Sequence, residues 1–293
     1  RLWMVPVVLL VILVALVIIP LLGMFTHMDA QSIRDVFSRD TLGLVVRNSV
    51  VASVLTTVIS LVLAYGLAWC MERTCIPCKK LLRVLIVLPM LIPSVSIGMG
   101  AVLLCGNNGI LTNLLGLPGG NVYGLTGIVW GSVMYSLPVA FVMIENILKY
   151  EDSSPYEAAK VLGIPKWRQF TGITLPYLRK PLITVAFSVF TLSFTDYGVP
   201  LMVGGKFKTL PMVMYQEVIG QLNFGKGCIY GAILLVPAVI AFALDVMNKN
   251  NASTSFITRP FVIRPRSFRD VTAAVYTSVV TLFGIAPILS FVV

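Results

Sequence analysis

The sequence predicts an all-α fold, a polytopic bundle of membrane-spanning helices. Three observations carry this. Of the 293 residues, 57% are hydrophobic and only 12% charged, where a soluble domain carries about 25% charged residues. Apolar runs of about 20 residues recur along the chain, each enough to cross a bilayer as a helix. The basic residues fall in short stretches between those runs, as they do in membrane proteins.

Taken in order, seven runs read as spans, at about 4–25, 46–70, 81–105, 123–148, 181–203, 228–247 and 271–293. The first is too long for a signal peptide and no small-residue cleavage site follows it. Because the chain opens on Arg1, it is expected to begin inside a longer protein. The third carries Pro89 and Pro93, read either as a kink lining a solute path or as tolerated kinks. Residues 106–124 carry no charge and are rich in Gly and Asn, so they read as a turn-rich loop with a short helix near Ile110–Leu115. Residues 204–226, opening on Gly204-Gly205, read as a second loop.

Charge sets an orientation. Sixteen Lys and Arg residues fall on the side that holds the amino terminus, among them Arg73, Lys79, Lys149, Lys166 and Arg264. The other side has six: Arg34, Arg39, Arg47, Lys206, Lys208 and Lys226. The positive-inside rule then puts the amino terminus and the segment 151–180 in the cytoplasm.

The composition also excludes. The net charge of +10 is spread over loops with no basic stripe and no interleaved aromatics, so nucleic acid is not the partner. The bilayer is. Five cysteines, with one C-x-x-C at Cys75–Cys78 and the only histidine, His27, in another loop, make neither a disulfide framework nor a metal site. No H-E-x-x-H and no G-x-S-x-G is present, so the chain is read as a transport subunit without a catalytic residue. The alternative is a secondary transporter driven by an ion gradient. That would carry coupling acids in mid-membrane, and only Asp196 comes near.

The most informative stretch is 157–176, EAAKVLGIPKWRQFTGITLP. It is polar and basic between two apolar runs. Ser154 can cap a helix, Pro155 suits its first position, and Glu157 can complete a capping box at the positive end of the helix dipole. Ala158 and Ala159 form helix without bulk, so another protein can approach the backbone. Gly163 ends the helix in a left-handed turn. Pro165 starts a second short helix, Lys166–Thr171, and Leu175-Pro176 closes the unit.

The fixed points Glu157, Ala158, Ala159, Gly163, Ile173, Leu175 and Pro176 resemble the EAA-loop signature of type I ABC importer permeases. The resemblance implies the partners. In that family the loop is gripped by an ATP-binding cassette subunit, and closure of two such subunits on ATP rocks the helices between inward-open and outward-open. An extracytoplasmic solute-binding protein delivers the solute. The coupling residues would then be those seven positions and Pro165. The chain has no G-x-x-x-x-G-K-[ST], so it binds no cofactor and ATP sits in a separate polypeptide. The implied location is the bacterial cytoplasmic (inner) membrane, multi-pass, with the amino terminus inside.

A second stretch, Phe194-Thr195-Asp196-Tyr197-Gly198-Val199-Pro200, puts an acid beside Gly and Pro late in the fifth span. An acid there is costly unless it meets a cavity or a partner; it reads either as part of the solute path or as an interfacial acid that caps a helix end. Asp196, Tyr197, Gly198 and Pro200, with Pro89 and Pro93, are the candidate path residues. Together with Gly204-Gly205 the stretch is similar to a pattern in the branch of permeases for ferric iron, thiamine and phosphonates such as 2-aminoethylphosphonate. Several members of that branch fuse two permease halves. Ile285-Ala286-Pro287-Ile288-Leu289 also echoes Ile18-Ile19-Pro20-Leu21-Leu22. Residues 1–270 are therefore expected to form one permease domain, and 271–293 the first helix of a second half; the alternative is a permease of seven helices.

Overall fold

The computed structural model describes residues 4–38, 41–115, 122–249, 259, 261–263 and 265–291. Arg1, Arg39 and Arg264 of the charge count, residues 116–121 of the uncharged loop and the last two residues of the seventh expected span lie outside the described residues. Among the described residues every regular element is helical.

The first span, α1, runs through Met4–Leu13, a π-turn at Val14–Ile18 and Ile19–Thr26. A short helix α2, Ala30–Phe37, follows; the Asp29 carboxylate caps it by accepting the Ser32 N–H at 2.8 Å. The long α3, Thr41–Arg73, has 33 residues, about 50 Å at 1.5 Å per residue. It outruns the ~30 Å hydrocarbon core of a bilayer. Its buried stripe is built from Ser49, Ala52, Ser53, Thr56, Ser60, Ala64 and Ala68. Small residues at this spacing let another helix approach closely in lipid. That helix is α7, Leu125–Lys149, which offers Gly127, Gly131, Ser132, Ser136 and Ala140. The two hydroxyls Ser60 and Ser136 meet at 2.9 Å where both helices are buried.

The third span is broken, not kinked. Helix α4, Lys79–Val87, gives way to a 3-10 turn, Leu88–Leu91, and then to α5, Ser94–Cys105. Pro93 forces Ile92 into extended backbone (φ −106°, ψ 136°). Helix α6 occupies Ile110–Leu115, where the sequence placed it.

The segment 151–180 forms α8, Ser154–Val161, and α9, Lys166–Gln169. A π-turn, Phe170–Thr174, then carries the chain without interruption into α10, Leu175–Thr195. Pro176 comes directly after that π-turn and the helical path runs on through it, so Leu175-Pro176 does not close the unit as expected; its missing N–H removes one bond from the ladder without ending it. After a break at Asp196 and Tyr197 comes α11, Gly198–Val203. The 204–226 stretch is only partly loop: α12, Leu210–Tyr215, runs on into a π-turn, Gln216–Gly220. Two long helices complete the fold, α13, Phe224–Lys249, and α14, Ser267–Leu289.

Among the described residues six helices are long and apolar enough to cross a membrane: Val5–Thr26, Thr41–Arg73, Ser94–Leu114 across the turn at Gly106–Gly109, Leu125–Lys149, Phe224–Leu244 and Ser267–Leu289. The expected fifth span, 181–203, is not among them. Its helix starts earlier, carries Arg179 and Lys180, and stops at Thr195. Helix α14 is seated in the bundle. Its Tyr276 hydroxyl donates to the Leu63 carbonyl at 3.0 Å, and a Cβ on Gly100 would stand 2.2 Å from the Pro287 carbonyl oxygen. By contrast, no residue in the apolar core of α1 is buried.

Candidate functional site: a capped coupling loop and a paired helix break

The start of α8 differs from the expected capping box by one residue. Ser153, not Ser154, is the cap position, and its side chain makes no capping bond. The Asp152 carboxylate does that work from one residue further back, accepting the Ser154 N–H at 3.2 Å and the Arg259 N–H at 3.1 Å. These donors, Arg259 first, hold the Asp152 carboxyl below its ordinary pKa. Glu157 is solvent-exposed and lies 3.4 Å from the Ser153 hydroxyl, which donates to it.

The end of α8 is as the sequence indicates. Gly163 has φ +67°, its N–H donates to the Lys160 carbonyl at 3.2 Å, and the Ile164 N–H donates to the Ala159 carbonyl at 2.9 Å. This pair of bonds is the Schellman closure of a helix. Gln169 adds a side-chain bond to the Ile164 carbonyl at 2.7 Å, locking α9 against the turn. The two alanines differ: Ala158 is exposed, whereas Ala159 is buried and faces the bundle. Pro165, Leu175 and Pro176 are exposed and Ile173 is half-buried.

The loop presents apolar side chains that motif reasoning did not single out. Val161 is 87% exposed, Leu162 74% and Trp167 73%, with Trp167 stacked on Phe170 at 6.0 Å. Two aliphatics immediately before a helix-ending glycine, on a helix too short to bury them, were the available signal. Around them stand Lys160, Lys166 and Arg168. A rigid, basic-rimmed apolar knob of this kind suits a protein groove.

At the opposite end of α10 the two broken helices meet. Ser94, first residue of α5, donates its hydroxyl to Asp196 at 2.5 Å. The same carboxylate accepts the N–H groups of Gly198 and Val199, each at 3.2 Å. One buried acid thus caps α11 and ties it to the start of α5, at the positive ends of both half-helices. Both carboxylate oxygens are taken by protein donors. Asp196 also lines a small cavity with Ser49, Ser53, Ser193, Pro200 and Thr209. Gly198 and Pro200 are buried in the contact, and Tyr197 turns outward to stack on Tyr215 at 4.9 Å. Of the two prolines in the third span, Pro89 lines a separate cavity beside Leu67, Leu137 and Gly284. Pro93 sets the break, leaving Leu91 82% exposed.

Replacing Asp196 by alanine strands three donors in a buried site. The expected loss is about 2–4 kcal/mol, from a lost cap and unsatisfied donors. It should appear as a lowered melting temperature in detergent; an unchanged melt would show that the carboxylate caps nothing. Asp196→Asn, which keeps one acceptor oxygen, should lose less.

Comparisons with known proteins agree with this architecture. The chain is 26% identical over 259 residues to the ferric transport system permease protein FbpB of Actinobacillus pleuropneumoniae, covering 84% of this chain and 36% of that one. It is 29% identical over 208 residues to the molybdenum transport system permease protein ModB of Azotobacter vinelandii, covering 69% and 92%. The chain therefore spans well under half the length of the ferric permease it matches. In fold it is similar to a chain of a bacterial alginate ABC transporter crystallised with an alginate pentasaccharide-bound periplasmic protein, with a TM-score of 0.69, 14% identity, and 87% and 96% coverage. A family profile matches residues 76–252, from the turn before α4 through the coupling loop, the break and α13. The chain belongs to the family described as binding-protein-dependent transport system inner membrane component.

Proposed function

We propose that the chain is the membrane-spanning subunit of an ATP-driven importer, coupled through residues 151–180 to a separate ATPase. The observation that carries this reading is the capped loop, with the EAA residues in place and Val161, Leu162 and Trp167 exposed on a rigid frame. Such a surface is stable in water only at a cost, which burial against a partner removes. Glu157, Ala158, Gly163 and Pro165 lie on the docking side. Ala159, Ile173, Leu175 and Pro176 shape the loop from behind. This orientation places α8 and the amino terminus in the cytoplasm, in keeping with the charge asymmetry. ATP is held by the partner subunit and none by this chain.

The solute side is the end of the bundle where α5 and α11 meet. Tyr197, Thr195 and Leu91 line the proposed path, and Asp196, Gly198, Pro200 and Pro93 hold its shape. A solute-binding protein delivers a small hydrophilic solute there, and a second permease half, fused or separate, completes the path. Ferric iron leads the solutes, in keeping with the ferric permease relative. Oxyanions follow: phosphonates such as 2-aminoethylphosphonate, and molybdate by the other relative.

The test is uptake by proteoliposomes holding the whole transporter, its ATPase and its binding protein. The probes are ferric iron, molybdate and 2-aminoethylphosphonate. One of them should accumulate only with ATP and binding protein together. Uptake that ignores ATP but collapses with the ion gradient would sink the proposal.

A further inference from the structure

Helix α8 is lightly held by the bundle. Among its own residues only Ala159 is buried. Its position relative to the spans is set by a cluster at its root, and a remote segment of chain closes that cluster. Arg73, the last residue of α3, donates to the Glu151 carboxylate at 2.6 Å and to the Leu148 carbonyl at the end of α7 at 3.0 Å. Glu151 in turn accepts from the Tyr156 hydroxyl on α8. Tyr156 also shares a hydrogen bond with Thr174 at the root of α10, at 2.7 Å. Burial first, then the Glu151 bond, push the Tyr156 phenol well above its ordinary pKa. The ends of α3, α7, α8 and α10 thus meet at one point.

Phe261 is the lid on that point. The Arg73 guanidinium lies 3.6 Å from the centre of its ring, and its edge meets Tyr156 at 5.2 Å. Beside it the backbone of Arg259 is pinned at both ends. Its N–H donates to Asp152 at 3.1 Å, and its carbonyl accepts the Ser153 N–H at 3.1 Å. These residues lie more than a hundred positions from α8 in sequence. They also join no helix of their own. Their contacts with the coupling segment are specific, not a chain passing by.

We propose that Arg259 and Phe261 form a strap that fixes the coupling helix to the ends of α3 and α7, with Phe261 and Arg73 as positioning residues for the transmission of ATP-driven movement. This rests on the coupling reading above. The ring excludes water from the Arg73–Glu151 pair, whose side chains are 13% and 5% exposed. Ion pairs weaken steeply when water enters. With the ring removed, α8 can still dock its partner, because Val161, Leu162 and Trp167 are untouched. It can then move without carrying α3 and α7 along.

The experiment uses the complete transporter with its ATPase in lipid nanodiscs, and follows amide hydrogen exchange with and without vanadate-trapped ATP. In the parent, trapping should alter exchange both in the loop, 154–175, and at the breaks, 88–98 and 195–199. Phe261→Ala should keep the ATPase bound and the loop protected. The response at the breaks should fall about three- to tenfold, the range expected of a partly desolvated cation–π contact. Phe261→Tyr should restore the response. Arg73→Lys, which keeps charge but loses the planar face, should behave like the alanine variant. The proposal is overturned if Phe261→Ala transmits the response to the breaks as the parent does. It is also overturned if that variant loses loop protection in both nucleotide states, for then Phe261 only keeps the loop folded. An ATPase that fails to protect 154–175 in the parent would instead remove the coupling reading itself.

Discussion

Gly163→Val is expected to reduce co-purification of the ATPase about five- to thirtyfold while the helices stay inserted. The figure converts a cost of about 1–2 kcal/mol for a left-handed β-branched residue. The backbone at Gly163 has φ +67°, and the two bonds that close α8 depend on it. A Cβ there would meet nothing within 4 Å. The penalty is therefore conformational and not steric. Relief requires the turn to open, which swings α9 and Trp167 away from Val161 and Leu162 and divides the apolar knob. Gly163→Asn separates the causes, since Asn tolerates this conformation. It should retain most of the binding. Normal stoichiometry for the valine variant in pull-downs would show that the turn geometry is not read by the partner.

Gly198→Ala should be strongly damaging at the other end. Its Cβ would lie 2.3 Å from the Ser94 hydroxyl and 2.6 Å from the Val95 backbone nitrogen. The hydroxyl could rotate away, but that sacrifices its bond to Asp196, and the backbone of α5 cannot move independently of its helix. Overpacking of this kind costs about 1–3 kcal/mol. About 2 kcal/mol corresponds to roughly 3 °C in melting temperature for a chain of this size. Transport should fall further than stability, because α5 and α11 would no longer share one cap. Gly172→Ala, with nothing within 4 Å of the added methyl, is the control and should melt like the parent. Equal melting of both variants would contradict the close approach of α5 and α11.

Several of these features could be read in the residues and several could not. Most of the spans were legible, because twenty apolar residues in a row suit a membrane, but 81–105 is broken and 181–203 stops at Thr195. Gly163 was legible because a single backbone geometry explains it. The breaks at 88–93 and 196–197 were only half legible. Proline and an intramembrane acid signal irregularity, but whether a helix bends or stops depends on what satisfies the freed groups. Ser94 and Asp196, 102 residues apart, answer that only in three dimensions. The continuity from α9 into α10 was hidden because a proline reads as a terminator, and the π-turn before Pro176 leaves no mark in the sequence. The same limit applied to Val161, Leu162 and Trp167, since a sequence does not say which apolar residues stay uncovered. Phe261 offered no local signal, being one aromatic in a basic, irregular stretch.

The unbroken helical path from Lys166 to Thr195 has a mechanical consequence. It spans 30 residues, about 45 Å at 1.5 Å per residue. One end carries Trp167; the other ends at the acid that joins α5 to α11. For a rod of that length pivoting near one end, a tilt of about 5° displaces the far end by about 4 Å. That exceeds the length of any hydrogen bond holding Asp196. On the proposed coupling, a modest push on the loop would unfasten the clasp at the far end of this rod, with no signal passed from residue to residue in between.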